Sequence, residues 1–89
     1  MTVELDGRLM FDKASTHTYL QQQLALPAYY GRNLDALYDL LTERAQPIEI
    51  VLRYEAMMKH QLGRYAKALI NTLRDAAENN PALTLTIEE

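Results

Sequence analysis

The chain has 89 residues, so we expect one domain over residues 1–89, with a core large enough to fold on its own. It contains no cysteine, which excludes a disulfide framework, a thiolate nucleophile and a zinc–thiolate site. The formal net charge is −3, a mild value that argues against nucleic acid as a direct ligand.

The apolar stretches and the opening residues indicate where the protein works. No apolar run is long enough to cross a bilayer. The opening residues, MTVELDGRL, lack the basic and hydrophobic regions of a signal peptide. We therefore expect a cytoplasmic protein that has no membrane partner.

The first elements are predicted to be a strand and a helix. Thr2–Asp6 alternates apolar and polar residues, which is typical of a strand with one buried face. The helix should be capped by Asp12 or Ser15 and should run to about Ala25. It should stop there because Pro27 disfavours helical backbone angles in the residue before it.

The segment Leu24–Thr42 is the most unusual part of the sequence. Gly31 offers a position where a positive φ has no steric cost, as a chain reversal after two tyrosines would need. Asn33 is a suitable N-cap for a second helix. The apolar residues of this second helix recur at helical spacing and should form a buried stripe, made of Leu34, Leu37, Leu40 and Leu41.

The other side of this second helix is acidic and aromatic. The two aspartates on this side are by themselves consistent with an ordinary solvent-exposed helix face, because carboxylates are favoured near the amino terminus of a helix. Tyr29 and Tyr30 just before the helix make the composition typical of a protein-binding hot spot instead. The residues expected to share this exposed side are Asp35, Tyr38, Asp39 and Thr42.

The second half of the chain repeats the order strand, helix, helix, strand. Ile48–Arg53 alternates as a strand, and Tyr54–Leu62 should be a short helix with Ala56, Met57 and His60 facing inward. Gly63 should separate it from a long helix over Arg64–Asn79. That helix should bury Tyr65, Leu69, Leu73 and Ala76 and expose Lys67, Asn71, Asp75 and Glu78.

A third alternating strand from Leu83 to Ile87 completes an α/β pattern of the form β-α-α-β-α-α-β. Helical crossovers between strands imply parallel pairing. Because each strand alternates, only one face of the sheet should be buried. We therefore predict a three-stranded parallel sheet in the order 1-2-3, with about four helices packed mainly on one face.

The stretch LALPAYYGRNLDALYDLLT closely resembles the inhibitor segment of the barstar family, bacterial proteins that block small ribonucleases of the barnase type. The pattern PxYYGxNLDAL is long and unusual in composition, and the rest of the chain is similar mainly in layout. The resemblance implies the same parallel-sheet fold. It also implies a protein inhibitor whose partner is an extracellular-type bacterial ribonuclease, and which is a monomer when free.

The resemblance also implies roles for individual residues. Asp39 would be the central carboxylate inserted among the basic groups of the enzyme, and Asp35 would pair with a second basic group. Tyr29 would pack against the catalytic histidine. Other residues of the implied contact surface are Tyr30, Gly31, Asn33, Leu34, Tyr38, Thr42, Arg44 and Asp75.

Several positions differ from the family pattern. Tyr38 stands where the family inhibitor has tryptophan, and Asp75 replaces a longer glutamate. Arg32 and Arg44 add positive charge at the rim, so the resemblance implies a related but differently tuned partner. A family proline in a comparable place leaves a cis Gln46–Pro47 bond open.

Catalytic arrangements are hard to find in the sequence. It has no Gly-rich phosphate loop and no paired metal-ligating histidines, and we expect neither enzymatic activity nor a cofactor. We interpret His17 as a packing or surface residue and the pair Met57 and Met58 as core. Two alternatives stay open: an antitoxin- or immunity-like module for another basic partner, and a metal-dependent hydrolase using Asp35, Asp39 and Asp75.

Overall fold

The computed structural model describes residues 1–88, and within them the chain alternates single strands with pairs of helices. This order of elements is the predicted one, with an additional 3₁₀ turn at Gly7–Leu9. The elements are β1 (Thr2–Asp6), α1 (Lys13–Gln23), α2 (Leu34–Thr42), β2 (Ile48–Arg53), α3 (Glu55–Leu62), α4 (Arg64–Asn79) and β3 (Leu83–Ile87).

The three strands form one parallel sheet in the order β1-β2-β3. Val3 pairs with Ile50, which pairs in turn with Leu85, so these three residues form one row across the sheet. Val3 and Ile50 are buried, whereas their neighbours Glu4 and Glu49 are exposed. The predicted strand order, the parallel pairing and the α/β class are therefore confirmed.

Helix α1 begins and ends with defined caps. The Asp12 carboxylate accepts the Ser15 N–H at 2.8 Å, and the Ser15 hydroxyl accepts the Asp12 N–H at 3.1 Å, so both predicted capping residues act together. The helix ends at Gln23, earlier than predicted, because Ala25 adopts a left-handed φ of 52°. The Leu26 N–H then bonds back to a carbonyl of the last turn at 3.0 Å, which closes the helix without a glycine.

The inward face of α3 differs from the predicted one. The buried residue is Met58, and Leu62 one turn later packs against the core. Tyr54 precedes the helix with a left-handed φ of 59°, so the chain turns sharply there. The alternation of buried and exposed residues in β2 therefore does not determine which side of α3 faces the core. The residues wrongly expected inside are exposed: Ala56, Met57 and His60.

Helix α4 packs against both α2 and α3. Leu69, Leu73 and Ala76 are buried as predicted, while Tyr65 is only half-buried. The core lies between this stripe and the buried side of the sheet. The Gln46–Pro47 bond is trans. Within residues 1–88, no helix combines the length and the apolar character that a membrane span requires.

Candidate protein-binding surface

The α1–α2 loop, residues 24–33, is held at its centre by hydrogen bonds to one carbonyl. The Tyr30 N–H donates to the Pro27 carbonyl at 2.9 Å and closes a tight turn. The Gln21 side-chain amide donates to the same carbonyl at 3.1 Å. The turn is therefore fixed to the last part of α1.

The left-handed residue at the end of this loop is Arg32, with a φ of 58°, and not Gly31 as the sequence analysis predicted. A Cβ atom at Gly31 would lie 3.2 Å from the Ala36 Cβ and 3.2 Å from the Asn33 side-chain nitrogen. Glycine at position 31 is therefore favoured by the close approach of α2, and the chain reverses one residue later.

Two arginines of this region bind neutral oxygen atoms near α1. Arg32 donates through Nη2 to the Ala14 carbonyl at 2.9 Å and to the Thr18 hydroxyl at 2.7 Å. Arg44, one of the predicted contact residues, is half-buried and donates to the Leu24 carbonyl at 3.2 Å. Both side chains thus make hydrogen bonds to α1 or to the residue that follows it, and Arg44 is only partly exposed.

Asn33 caps α2 as predicted. Its Oδ1 atom accepts the Ala36 N–H at 2.7 Å, and its Nδ2 atom donates to the Gly31 carbonyl at 3.1 Å. Asp35 lies in the first turn, where the positive end of the helix dipole favours a carboxylate. Asn33 and Asp35 are both exposed, so the residues that start the helix also face solvent.

The exposed side of α2 carries its carboxylates. Asp35 and Asp39 are both exposed and lie four residues apart, which places them on the same side of the helix. Tyr38 and Leu34 are half-buried and pack against the core. Thr42 is also half-buried, and its hydroxyl donates to the Tyr38 carbonyl at 2.8 Å. Of these five, the aspartates are therefore the most available to a partner.

The two adjacent tyrosines of the loop have opposite environments. The side chain of Tyr29 is 80% exposed, whereas Tyr30 is 5% exposed. The structure therefore places most of the Tyr30 side chain in the core, and its part in the contact surface stays a prediction. Tyr29 presents its ring to solvent next to α2.

Tyr30 is held by a buried histidine. The Nδ1 atom of His17 lies 2.5 Å from the Tyr30 hydroxyl oxygen, and its Nε2 atom lies 2.6 Å from the Tyr65 hydroxyl oxygen. A neutral imidazole has one N–H and one lone pair, so one tyrosine accepts a hydrogen bond and the other donates one. His17 is 2% exposed, which confirms a packing role and links α1, the loop and α4.

The environment of this network keeps it uncharged. Burial, together with the nearby charge of Arg32, lowers the pKa of His17. Burial raises the pKa of Tyr30 to about 12 and also raises the pKa of Tyr65. All three side chains are therefore neutral near pH 7, and they support the loop by hydrogen bonding and packing.

A shallow cleft of about 220 Å³ joins the loop to α2. Tyr29, Tyr30, Gly31 and Asp39 line it, together with Glu43, a residue that the sequence pattern did not single out. Glu43 is exposed at the end of α2, four residues after Asp39, so helical spacing alone could have identified it. We call the exposed carboxylates Asp35, Asp39 and Glu43 the acidic face.

A second cleft, of about 580 Å³, lies at the amino-terminal end of α2. Asn33 and Asp35 line it, as do two cations, Lys13 and Arg32. The Lys13 Nζ atom lies 4.8 Å from the centre of the Tyr65 ring, a cation–π contact. The acidic face therefore has a basic flank, and Lys13 is a residue that the sequence pattern did not single out.

Asp75 lies on the exposed side of α4 and lines neither of these clefts. Its helix is nevertheless fixed to α2, because the Asn80 side-chain amide donates to the carbonyls of Leu41 at 2.8 Å and Arg44 at 2.9 Å. Asp75 therefore lies outside the cleft that Asp39 lines, on a helix whose carboxyl-terminal end is fixed to α2.

The three aspartates considered as metal ligands do not come together in the part of the chain that the structure describes. No three His, Cys, Asp or Glu side chains among residues 1–88 are placed so that they could hold a metal ion. The alternative that used Asp35, Asp39 and Asp75 as metal ligands is therefore wrong for these residues.

Comparison with known proteins agrees with the geometry. Residues 1–88 match the family model described as "Barstar (barnase inhibitor)". The chain is also 37% identical over 75 residues to a Bacillus subtilis (strain 168) protein named "Putative ribonuclease inhibitor YrdF". That match covers 83% of this chain and 82% of the relative. With its fold, its capped acidic helix and these two matches, the chain belongs to the barstar family.

Proposed function

We propose that this protein inhibits a barnase-type ribonuclease by filling the basic active-site cleft of the enzyme with the acidic face and Tyr29. A ribonuclease must stabilise phosphate charge with arginine, lysine and histidine side chains. Carboxylates on a folded protein can pair with those basic side chains in place of the phosphates, and they contain no phosphodiester bond that the enzyme could cleave. In this proposal the chain is a binding protein and not an enzyme.

The observation that supports this proposal best is that the acidic face is exposed and carries uncompensated charge. Within residues 1–88, none of its carboxylates lies within 4.0 Å of a lysine, arginine or histidine nitrogen. Three like charges along one side of a helix repel one another, and a basic partner relieves that repulsion. Complementary charge also accelerates encounter and improves selectivity.

The support beneath the acidic face favours tight binding. Asn33 caps the start of α2, Asn80 holds its end, and His17 fixes the loop through Tyr30. A surface that is already ordered loses less conformational entropy on association. The free protein therefore needs little rearrangement to present Asp39.

The geometry and the family resemblance together suggest individual roles. Asp39 would be the central carboxylate in the cleft, and Asp35 would pair with a second basic group. Tyr29 would stack on the catalytic histidine of the ribonuclease. Residues expected at the edge of the contact are Tyr30, Gly31, Asn33, Leu34, Tyr38, Thr42, Glu43, Arg44 and Asp75.

The proposal is tested by titrating the protein into a barnase-type ribonuclease and measuring RNA hydrolysis. We expect inhibition that is complete at about one inhibitor per enzyme and that weakens as salt is added, because exposed charges are screened. Absence of inhibition at every ratio would contradict the ribonuclease proposal. The acidic face would then belong to an antitoxin- or immunity-like module for a different basic protein.

A further inference from the structure

A groove of about 550 Å³ runs between α3 and α4 and has the opposite charge to the acidic face. It contains four of the nine lysine and arginine residues of the chain, and Glu55 is the one carboxylate in its lining. Neither the family match nor the proposed ribonuclease contact accounts for it. The four cations are Lys59, Arg64, Lys67 and Arg74.

The cations follow one side of α4. Arg64, Lys67, Asn71 and Arg74 are spaced at intervals of three or four residues, so they form a stripe along the groove. At 1.5 Å per residue, the stripe is about 15 Å long. Helical spacing predicts that Lys67 shares an exposed face with Asp75 and Glu78, but neither of these acids lines the groove.

Most of this positive charge is uncompensated. Lys59 pairs with Glu55 at 2.9 Å. In the described residues, no carboxylate oxygen lies within 4.0 Å of the side-chain nitrogens of Arg64, Lys67 or Arg74. No acidic residue lies in the first turn of α4 either, so the positive end of that helix adds to the same sign of charge.

We propose that this groove binds the phosphate chain of an oligophosphate anion. Several cations spaced along a groove match several phosphates along a chain, since both arginine and lysine form charge-assisted hydrogen bonds with phosphate oxygens. No aromatic side chain lines the groove, so it offers no platform on which a nucleobase could stack. The site therefore recognises the phosphate chain, whichever group the chain is attached to.

The inference does not depend on the ribonuclease proposal. A basic enzyme would be repelled by the groove and attracted by the acidic face. The two surfaces therefore suit different partners, and failure of ribonuclease inhibition would leave the groove proposal unchanged.

The test is an NMR and calorimetric titration of the full chain with sodium tripolyphosphate at low salt. We expect saturable binding with amide shifts concentrated between residues 55 and 74. The variant Arg64→Gln/Lys67→Gln should bind about tenfold more weakly, because two charge-assisted contacts are lost. The control Arg8→Gln/Arg53→Gln removes the same net charge from residues that do not line the groove and should bind almost as well as the unmodified protein.

Three results would overturn the proposal. One is a lack of saturable binding, and another is an equal loss of affinity in the two double variants, which would indicate attraction by net charge alone. The third would be seen in parallel titrations with ATP and with a short single-stranded RNA. If either one bound and tripolyphosphate did not, the phosphate chain would not be what the groove recognises. Similar affinities for ATP and tripolyphosphate would support the proposal.

Discussion

The buried Nδ1 atom of His17 lies 2.5 Å from the hydroxyl oxygen of Tyr30, and the residue next to Tyr30 is the most exposed tyrosine of the contact region. The two neighbouring tyrosines therefore have different structural roles. Tyr30 anchors the α1–α2 loop in the core, and Tyr29 presents its ring beside the acidic face. Support of the loop and direct contact with a partner are therefore assigned to different side chains.

Removing the Tyr30 hydroxyl should destabilise the fold. Tyr30→Phe leaves one nitrogen of the buried His17 ring without its partner, which costs about 1–3 kcal/mol in the free energy of unfolding. Urea denaturation measures this loss. Tyr29→Phe is the matched control, because the Tyr29 ring is 80% exposed, and it should leave stability unchanged. Equal stability of the two variants would contradict the anchoring role of Tyr30.

The stability of the protein should fall as the pH drops below about 6.5. The pKa of His17 is lowered in the folded state, first by burial and then by Arg32, so the unfolded chain takes up a proton at a pH where the folded chain does not. Unfolding is therefore favoured increasingly from pH 6.5 down to the lowered folded pKa. Above pH 6.5 the His17 side chain is neutral in both the folded and the unfolded state, so it contributes no pH dependence to the free energy of unfolding.

Urea unfolding at pH 7.5 and pH 5.5 measures this dependence. One proton accounts for at most about 1.4 kcal/mol per pH unit. His17→Gln removes the titrating group, so its slope in this range should be shallower even if the variant is less stable overall. A slope equal to that of the unmodified protein would assign the dependence to other groups.

The fold could be predicted from the sequence because its signals are local. Alternating residues identify β1, β2 and β3, and the pairs of helices between them dictate parallel order. Asn33 likewise indicates the start of α2, because an N-cap bonds to the first turn of its own helix and needs no distant partner. These features follow from spacing alone.

The parts that could not be predicted depend on contacts between distant residues. The partners of His17 lie 13 and 48 positions away, so its burial between two tyrosines has no local signature. The same applies to Tyr30, which is identical in type to its exposed neighbour. Residue type alone predicts a positive φ at Gly31, whereas the close approach of α2 is what favours glycine there.

The cap at Asn33 should contribute measurably to stability. Asn33→Ala removes the acceptor for the Ala36 N–H and should cost about 1 kcal/mol in the free energy of unfolding. Asn33→Ser keeps a capping oxygen and should retain most of that stability. Chemical denaturation compares the two variants. If they lost equal stability, the hydrogen bond from Ala36 would not be the source of the effect.

Glu43 should steer association with the ribonuclease. It lines the cleft next to Asp39 and is exposed, so Glu43→Gln should slow association and make it less dependent on salt, without a change in stability. Stopped-flow binding at several salt concentrations measures both quantities. Glu49→Gln on β2 removes the same charge from the sheet and should leave the rate almost unchanged. Identical effects would indicate a role for net charge only.

The central claim is that Asp39 enters the active site of a ribonuclease. The most direct measurement is inhibition of a barnase-type ribonuclease by Asp39→Ala and by Glu78→Ala, an exposed acid on α4, with thermal unfolding of both. We expect Asp39→Ala to weaken inhibition by at least about 30-fold, the size of a binding hot spot, at nearly unchanged stability. The barnase–barstar pair is itself a source of such hot-spot values, so this magnitude is carried over from the family. Glu78→Ala should inhibit normally. Equal inhibition by the two variants would contradict the proposed site, and loss of both fold and inhibition in Asp39→Ala would make Asp39 a structural residue.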